Sequence, residues 1–236
     1  MDYVFITENG IGGFIVLRRS EYDLNKNIVD IQYNSLNLPS RIVFKNGDNI
    51  SHVYSADGSK LRTVWVADGD TLTTDYCGNV IYENGVPVRL MTDVGYIALS
   101  DTSYHYFIKD HQGNVRVVAD EHGNAEEVND YYAFGGLMST SSRQSVQPYK
   151  YNGKELDSKG GLDWYDYGAR MYDAALGRFM KTDRFSEKYV SLSPYQYGAN
   201  NPVNNIDVNG DSVWYTRNGD IVTMHVTAKI FNNSSD

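Results

Sequence analysis

Asn-Gly and Asp-Gly pairs recur at short intervals in the first half of this 236-residue chain. Runs such as RIVF, SHVY and LRTVWV lie between them and are rich in β-branched and aromatic residues. Such pairs between such runs are the strongest short-range signal for a β-hairpin. The turn glycines are separated by 11, 11, 9 and 7 residues, at Gly47, Gly58, Gly69, Gly78 and Gly85. This spacing predicts a sheet built from repeated hairpins.

The composition agrees with an all-β chain of many turns. There are 20 Tyr and 21 Gly but only 5 Pro; Tyr favours strands, and Gly supplies the positive φ angles of tight turns. A hydrophobic content of 41% is typical of a globular protein. A helical period is nearly absent from the first two thirds of the chain. We therefore expect an all-β fold, a strongly curved antiparallel sheet.

A second pair of turns lies ten residues apart, at Gly113 and Gly123. The run VRVVAD between them predicts one strand of a hairpin meander. Simple alternation of side chains along that strand predicts Val115 and Val117 on one face, with Arg116 and Val118 on the other.

Charge and residue usage limit the partners and cofactors of the chain. A formal net charge of −9 disfavours nucleic acid as a partner, because phosphates require Lys and Arg. Cys77 is the only cysteine, which excludes a disulfide framework within the chain. His111 and His122 have no partners at ligand spacing, so we expect surface histidines, no metal and no cofactor. The N-terminus lacks a secretory signal pattern, and no apolar run is long enough to span a bilayer.

The region beyond residue 149 carries a series of motifs in a characteristic order. These are YNGKE, YDYGARMYD, GRF, YQYGANNPVN and DVNG. Together they resemble the RHS repeat-associated core domain, and the preceding hairpins resemble the tyrosine-aspartate (YD) repeats of the same family. The resemblance predicts degenerate RHS repeats over 1–129, the core domain over 130–211, and the start of a variable C-terminal region, truncated, over 212–236.

The resemblance implies a structural role in a bacterial polymorphic toxin. RHS repeats in that family spiral into a hollow cage, the core domain forms a plug, and the cage encapsulates a C-terminal toxin. The implied partners are that toxin, other cage segments, an immunity protein and secretion machinery. The implied location is bacterial, exported or cell-surface associated in the full-length context and otherwise cytoplasmic. An alternative of a different class is a Tyr-rich adhesin that binds carbohydrate through strand residues such as Tyr33 and Tyr54.

Many core domains of the family resemble an aspartyl protease that cuts its own chain just past the core. By this resemblance, the two catalytic aspartates correspond to Asp183 and Asp207, and the cut lies near Gly210, Asp211 and Ser212. Paired carboxylates suit this chemistry because one accepts a proton from water while the other polarises the scissile carbonyl. The arginine that would hold the oxyanion or orient a carboxylate is Arg178 or Arg170.

This chain departs from the family pattern at three positions. Arg184 and Val208 stand where proline follows each aspartate, and Asp211 stands where cleaving members carry an apolar residue. An acidic side chain is costly to bury without a partner. The alternative interpretation is that Asp183 and Asp207 cap turns, so the sequence favours a structural module over a protease.

The segment after Asp211 reads as a fresh hairpin with its turn at Asn218-Gly219. Alternate residues place one apolar face on its second strand, made of Val222, Met224, Val226, Ala228 and Ile230. A two-stranded hairpin is marginal alone in water, so we expect that face to need a partner.

Overall fold

The computed structural model describes residues 19–142, 146–188, 190–211, 214–218 and 221–225. Eleven consecutive strands form one antiparallel meander, which we call the large sheet, with every strand beside its neighbour in sequence. They are β1 (Ile28–Tyr33), β2 (Pro39–Phe44), β3 (Asn49–Tyr54), β4 (Lys60–Ala67), β5 (Asp70–Cys77), β6 (Val80–Glu83), β7 (Val86–Thr92), β8 (Gly95–Ala98), β9 (Tyr104–Lys109), β10 (Val115–Asp120) and β11 (Ala125–Val128). The predicted all-β fold is confirmed.

The turns of the meander lie where the sequence places them. Gly47 has a φ of 96° and Gly58 a φ of 92°, in the region that favours glycine. The turn glycines at 69, 78, 85, 113 and 123 also have positive φ. These residues allow the sharp reversals that bring each strand back beside the previous one.

Two smaller sheets follow the meander. One has four strands in sequence order, β12 (Glu155–Asp157), β13 (Trp164–Asp166), β14 (Met171–Asp173) and β15 (Arg178–Phe179). Residues 147–211, which carry this sheet and short 3-10 turns, are called the inner unit below. The other sheet pairs β16 (Trp214–Asn218) with β17 (Ile221–His225), so the C-terminal hairpin is confirmed. Val226, Ala228, Ile230 and Gly219 of the sequence prediction lie outside the described residues.

The alternation predicted for β10 is wrong. Val115 and Val118 are both fully buried, although simple alternation assigns them to opposite faces. A register shift against β9 between Val115 and Val117 is the cause. A bulge inserts one residue and changes which side chains point inward beyond it.

The inner unit packs on one face of the large sheet. Ile31, Ile42 and Phe44 of β1 and β2 share a core with Trp164 and Met171 of the inner unit. A second core lies within the inner unit and consists of aromatic rings, namely Tyr151, Tyr165, Tyr167, Tyr172, Phe179 and Tyr197. Burial of such rings contributes both apolar area and favourable edge-to-face contacts.

The large sheet curls around the inner unit. Asn152 hydrogen bonds to the β9–β10 turn at Asn114, while Gly160 lies against Phe44 of β2. Eight residues span at most about 28 Å when fully extended. Seven strand spacings of a flat sheet would separate β2 from β9 by about 34 Å. This short reach agrees with a large sheet that curves toward the inner unit, as the sequence predicted.

The inner unit also contacts the turns at one end of the strands. Alternate turns of a meander fall at the same end, which here are the turns after β1, β3, β5, β7 and β9. Lys181 donates to the carbonyl of Leu36 in the first of these turns at 3.2 Å, and Gln112 of the last donates to Pro202 at 2.7 Å. The inner unit thus contacts one rim of the curved sheet. No helix in the described part of the chain has the length and apolar character needed to cross a membrane.

Candidate functional site

A buried arginine joins the two aspartates that the sequence singled out. Arg170 is 1% exposed, in the connection between β13 and β14. Its Nη2 lies 3.0 Å from Asp183 Oδ2 and 3.2 Å from Asp207 Oδ2. Burial lowers the pKa of Arg170, and the two carboxylates oppose that shift. The ring of Phe179 covers the guanidinium at 3.7 Å, which adds a cation–π contact.

Each aspartate also holds a turn, as the alternative interpretation proposed. Asp183 Oδ1 accepts from the backbone amide of Phe185 at 2.7 Å, and Asp207 Oδ1 accepts from the amide of Gly210 at 2.7 Å. The aspartates are 3% and 2% exposed. Their second oxygens face Arg170, so the same side chains cap turns and form a buried carboxylate pair.

Arg178 does not join this cluster. It is exposed on β15, and its guanidinium lies 5.3 Å from the ring centre of Tyr195. Of the two arginines that the sequence offered, the structure places only Arg170 beside the carboxylates.

The same arginine contacts the backbone at the expected cut region. Arg170 Nε donates to the carbonyl oxygen of Gly210 at 2.5 Å. Gly210 has a φ of 77°, and a Cβ there would approach the backbone nitrogen of Arg170 to 3.0 Å. Only glycine fits this approach without strain. The carbonyl of the Gly210–Asp211 peptide bond is thereby held by a buried cation.

Asp211 is buried and has a partner. It is 5% exposed, and its Oδ2 accepts from Nη2 of Arg184. Burial raises the pKa of the Asp211 carboxyl, while Arg184 and Arg170 oppose that shift. Its backbone amide donates to Oδ1 of Asn209 at 3.2 Å. The sequence named Arg184 as a departure, and Asp211 both as a departure and at the cut, but it did not pair them; Asn209 was missed. Ser212 lies outside the described residues.

A cleft of 730 Å³ opens beside this cluster, between the inner unit and the turns after β1 and β3. Leu38 and Asp57 line it from the large sheet, and Arg170, Lys181 and Asp211 line it from the inner unit. Among the described residues, no group of three or more His, Cys, Asp or Glu is placed to hold a metal ion. The ionisable groups that line the cleft are carboxylates, guanidinium groups and the ammonium of Lys181.

The tyrosines proposed for carbohydrate contact serve the fold. The hydroxyl of Tyr33 donates to the carbonyl of Ser20, and that of Tyr54 donates to the carbonyl of Pro39 at 3.0 Å. Both side chains are only partly exposed. These contacts are structural, in line with the preference for Tyr on strands.

Residues 93–203 match the family model described as Teneurin YD-shell. Salivary gland surface protein 1 of Aedes aegypti is 35% identical over 112 residues, which cover 47% of this chain and 3% of that protein. The tRNA nuclease WapA of Bacillus subtilis (strain 168) is 28% identical over 199 residues, covering 75% of this chain and 8% of WapA.

Solved structures share the fold. The crystal structure of TcdB2-TccC3-TEV aligns with a TM-score of 0.68 at 20% identity, over 81% of this chain and 10% of that one. The Photorhabdus luminescens Tc holotoxin pore aligns at 0.65 and 20% identity, over 77% of this chain and 10% of that one. The chain thus spans a tenth or less of each of these proteins. The repeated hairpins, the inner unit and these matches together show that the chain is similar to RHS repeat proteins with a YD-shell.

Proposed function

We propose that this chain is a wall section and plug of an RHS shell that encapsulates a C-terminal toxin for delivery to a competing or host cell. The observation that carries the proposal is the curvature of the large sheet around the inner unit, which packs on one face of that sheet. A concave wall with one face turned inward is the geometry that an enclosing container needs. We assign the wall to 1–129 and the plug to 130–211, with 212–236 as the start of the cargo region.

The relatives support the toxin context by their names. WapA is a tRNA nuclease, and the structural neighbours include a Tc holotoxin. By analogy, the partners of this chain are a C-terminal toxin and further shell segments, with an immunity protein and secretion machinery acting at export. The location in that context is exported or cell-surface associated.

Photo-crosslinking tests which face of the wall meets the cargo. Phe107 lines a 710 Å³ cavity between β5–β9 and the inner unit, whereas Tyr104 on the same strand is 48% exposed on the other face. A photoreactive phenylalanine analogue at Phe107 is expected to crosslink to polypeptide C-terminal to Asp211. The same analogue at Tyr104 serves as the control and is expected to give no such product. Equal crosslinking from both positions would contradict encapsulation.

A second candidate function is hydrolysis of the chain's own Gly210–Asp211 bond, because Arg170 contacts both carboxylates and the Gly210 carbonyl. One carboxylate would take a proton from a water whose oxygen attacks the carbonyl carbon of Gly210. Arg170 would stabilise the negative charge that develops on the carbonyl oxygen. The C–N bond then breaks, leaving a carboxylate on Gly210 and, after proton transfer from the other carboxyl group, an amine on Asp211.

Intact mass of the purified full-length protein tests this second function. A cut between Gly210 and Asp211 is expected, and Asp207→Asn is expected to abolish it. Asp163→Asn is the control, because Asp163 is an exposed aspartate of the inner unit outside the cluster. A wild-type chain that stays at full mass would rule out self-cleavage and leave the structural role as the whole function.

A further inference from the structure

Two residues that depart from the family pattern contact each other. By the resemblance, Arg184 stands where proline is expected after Asp183, and Asp211 stands where an apolar residue is expected after Gly210. They are 27 positions apart in sequence, yet their side chains form an ion pair. A buried carboxylate without that partner would be costly. Arg184 therefore compensates for the burial of Asp211.

The ion pair completes a set of contacts on every polar group around one peptide bond. The amide of Gly210 donates to Asp207, and its carbonyl accepts from Arg170. On the other side of the bond, the amide of Asp211 donates to Asn209, and its side chain accepts from Arg184. The contacts of Asp207 and Asn209 are local turn bonds, whereas Arg170 and Arg184 come from distant positions in the sequence. Fixed geometry of this kind is what an intramolecular reaction needs.

We propose that Arg184 is a positioning residue: it binds the Asp211 carboxylate and thereby holds the Gly210–Asp211 bond against Arg170. This inference rests on the second candidate function. It adds that the residue just after the cut bond is preferably acidic. The site would thus select a carboxylate by charge at a position where the family pattern has an apolar side chain.

Burial and exposure of the two partners fit this assignment. Asp211 has a side chain 7% exposed at the cleft, while the side chain of Arg184 is 58% exposed and reaches in from the surface. Lys181 lines the same cleft, and its pKa is lowered by burial, with Asp211 opposing the shift and Arg170 and Arg184 adding to it. Because Arg184 is largely exposed, it can be substituted without opening a hole in the core.

Reversal of the charges of Arg184 and Asp211 tests the proposal on the full chain. The variants are Arg184→Glu, Asp211→Lys and the double variant, with Arg178→Glu as the control on an exposed arginine of the same unit. Two quantities are measured: the rate of cleavage from intact mass, and hydrogen exchange of the Gly210 amide. Each single variant is expected to slow cleavage and to speed Gly210 exchange by about tenfold, since a buried group loses its partner. The double variant is expected to recover both, because the charge pair is restored with reversed sign.

The outcomes separate this inference from the function on which it rests. If the wild type is cleaved and Arg184→Glu is cleaved at the same rate, the positioning role is overturned while self-cleavage stands. A second outcome is that the wild type is not cleaved, while hydrogen exchange of the Gly210 amide becomes faster in the single variants and recovers in the double variant. Self-cleavage then fails, and the holding role of Arg184 is supported. If Gly210 exchange is unchanged in every variant, or the double variant recovers nothing, the proposal is overturned.

Discussion

Lys60 of the large sheet and Glu155 of the inner unit form an ion pair, with 2.8 Å between Nζ and Oε2. Asp166 lies 2.9 Å from the same ammonium, and Lys60 is 7% exposed in its side chain. Burial alone would lower the pKa of Lys60, but the two carboxylates raise it well above its usual value. Lys26, in the loop before β1, forms a second ion pair with the inner unit, with 3.4 Å between its Nζ and Asp173 Oδ2. In both pairs, a cation of the large sheet or of its preceding loop faces an anion of the inner unit.

Replacement of Lys60 by Met is expected to destabilise the fold by about 3–5 kcal/mol, because it leaves Glu155 and Asp166 buried without their cation. Urea unfolding monitored by tryptophan fluorescence measures the change. The control is Arg62→Ala, since Arg62 pairs with Asp75 at the surface. That variant is expected to unfold close to the wild type. Equal effects of the two substitutions would contradict a stabilising role for the buried ion pairs of Lys60 with the inner unit.

Two turns of matching sequence allow a comparison of a docked turn with a free one. Asn114 and Asn124 each donate to an aspartate four residues earlier at 2.8 Å. Only Asn114 also accepts from the amide of Asn152, at 2.7 Å. Asn114→Ala is expected to cost about 2–3 kcal/mol because it removes this partner from a partly buried amide.

In contrast, Asn124→Ala is expected to cost under about 1 kcal/mol, since an exposed turn loses only local contacts. The difference in free energy of unfolding between the two variants is the measurement. A difference near zero would show that the β9–β10 turn does not anchor the inner unit.

His52 is expected to make stability depend on pH. Burial, and next Lys60, lower its pKa from 6.5 to about 4. The unfolded chain therefore takes up this proton at a higher pH than the folded protein does. The free energy of unfolding should fall as pH decreases from 6.5 to 4, by about 3 kcal/mol in total.

The substitution His52→Asn keeps a hydrogen-bonding group facing Thr63, which lies 3.1 Å from His52 Nδ1. It should remove that part of the pH dependence. The exposed His122 gives the control variant, His122→Asn, which should keep the slope of the wild type. Urea unfolding at half-unit pH steps measures the slope, and an NMR titration of His52 near 6.5 would refute the prediction.

Replacement of Arg170 by Met is expected to cost about 3–5 kcal/mol, because Asp183 and Asp207 lose their shared cation in a buried site. Arg178→Ala, on the exposed arginine that the sequence also offered, is expected to leave stability nearly unchanged. Thermal unfolding of both variants compares them directly. A larger loss from Arg178→Ala would show that Arg170 is not the organising residue.

Local chemistry was sufficient to predict the hairpins. Gly47, Gly58 and Gly69 have the positive φ that their Asn-Gly and Asp-Gly pairs suggested, and the strands follow from those turns. The same local argument failed at Val118, because the bulge in β10 depends on the register with β9 and not on β10 alone. The domain boundaries stay predictions.

The sequence by itself determined the all-β meander and the pair of aspartates, because turn residues and short motifs act over a few positions. It could not choose between Arg170 and Arg178, which lie eight residues apart and differ only in what the folded chain places beside them. Only the tertiary structure decided that Arg170 is buried between Asp183 and Asp207, and that Lys60 meets Glu155 from 95 positions away. Such pairs depend on how the curved sheet packs over the inner unit. A pattern that extends over a few neighbouring residues cannot specify that packing.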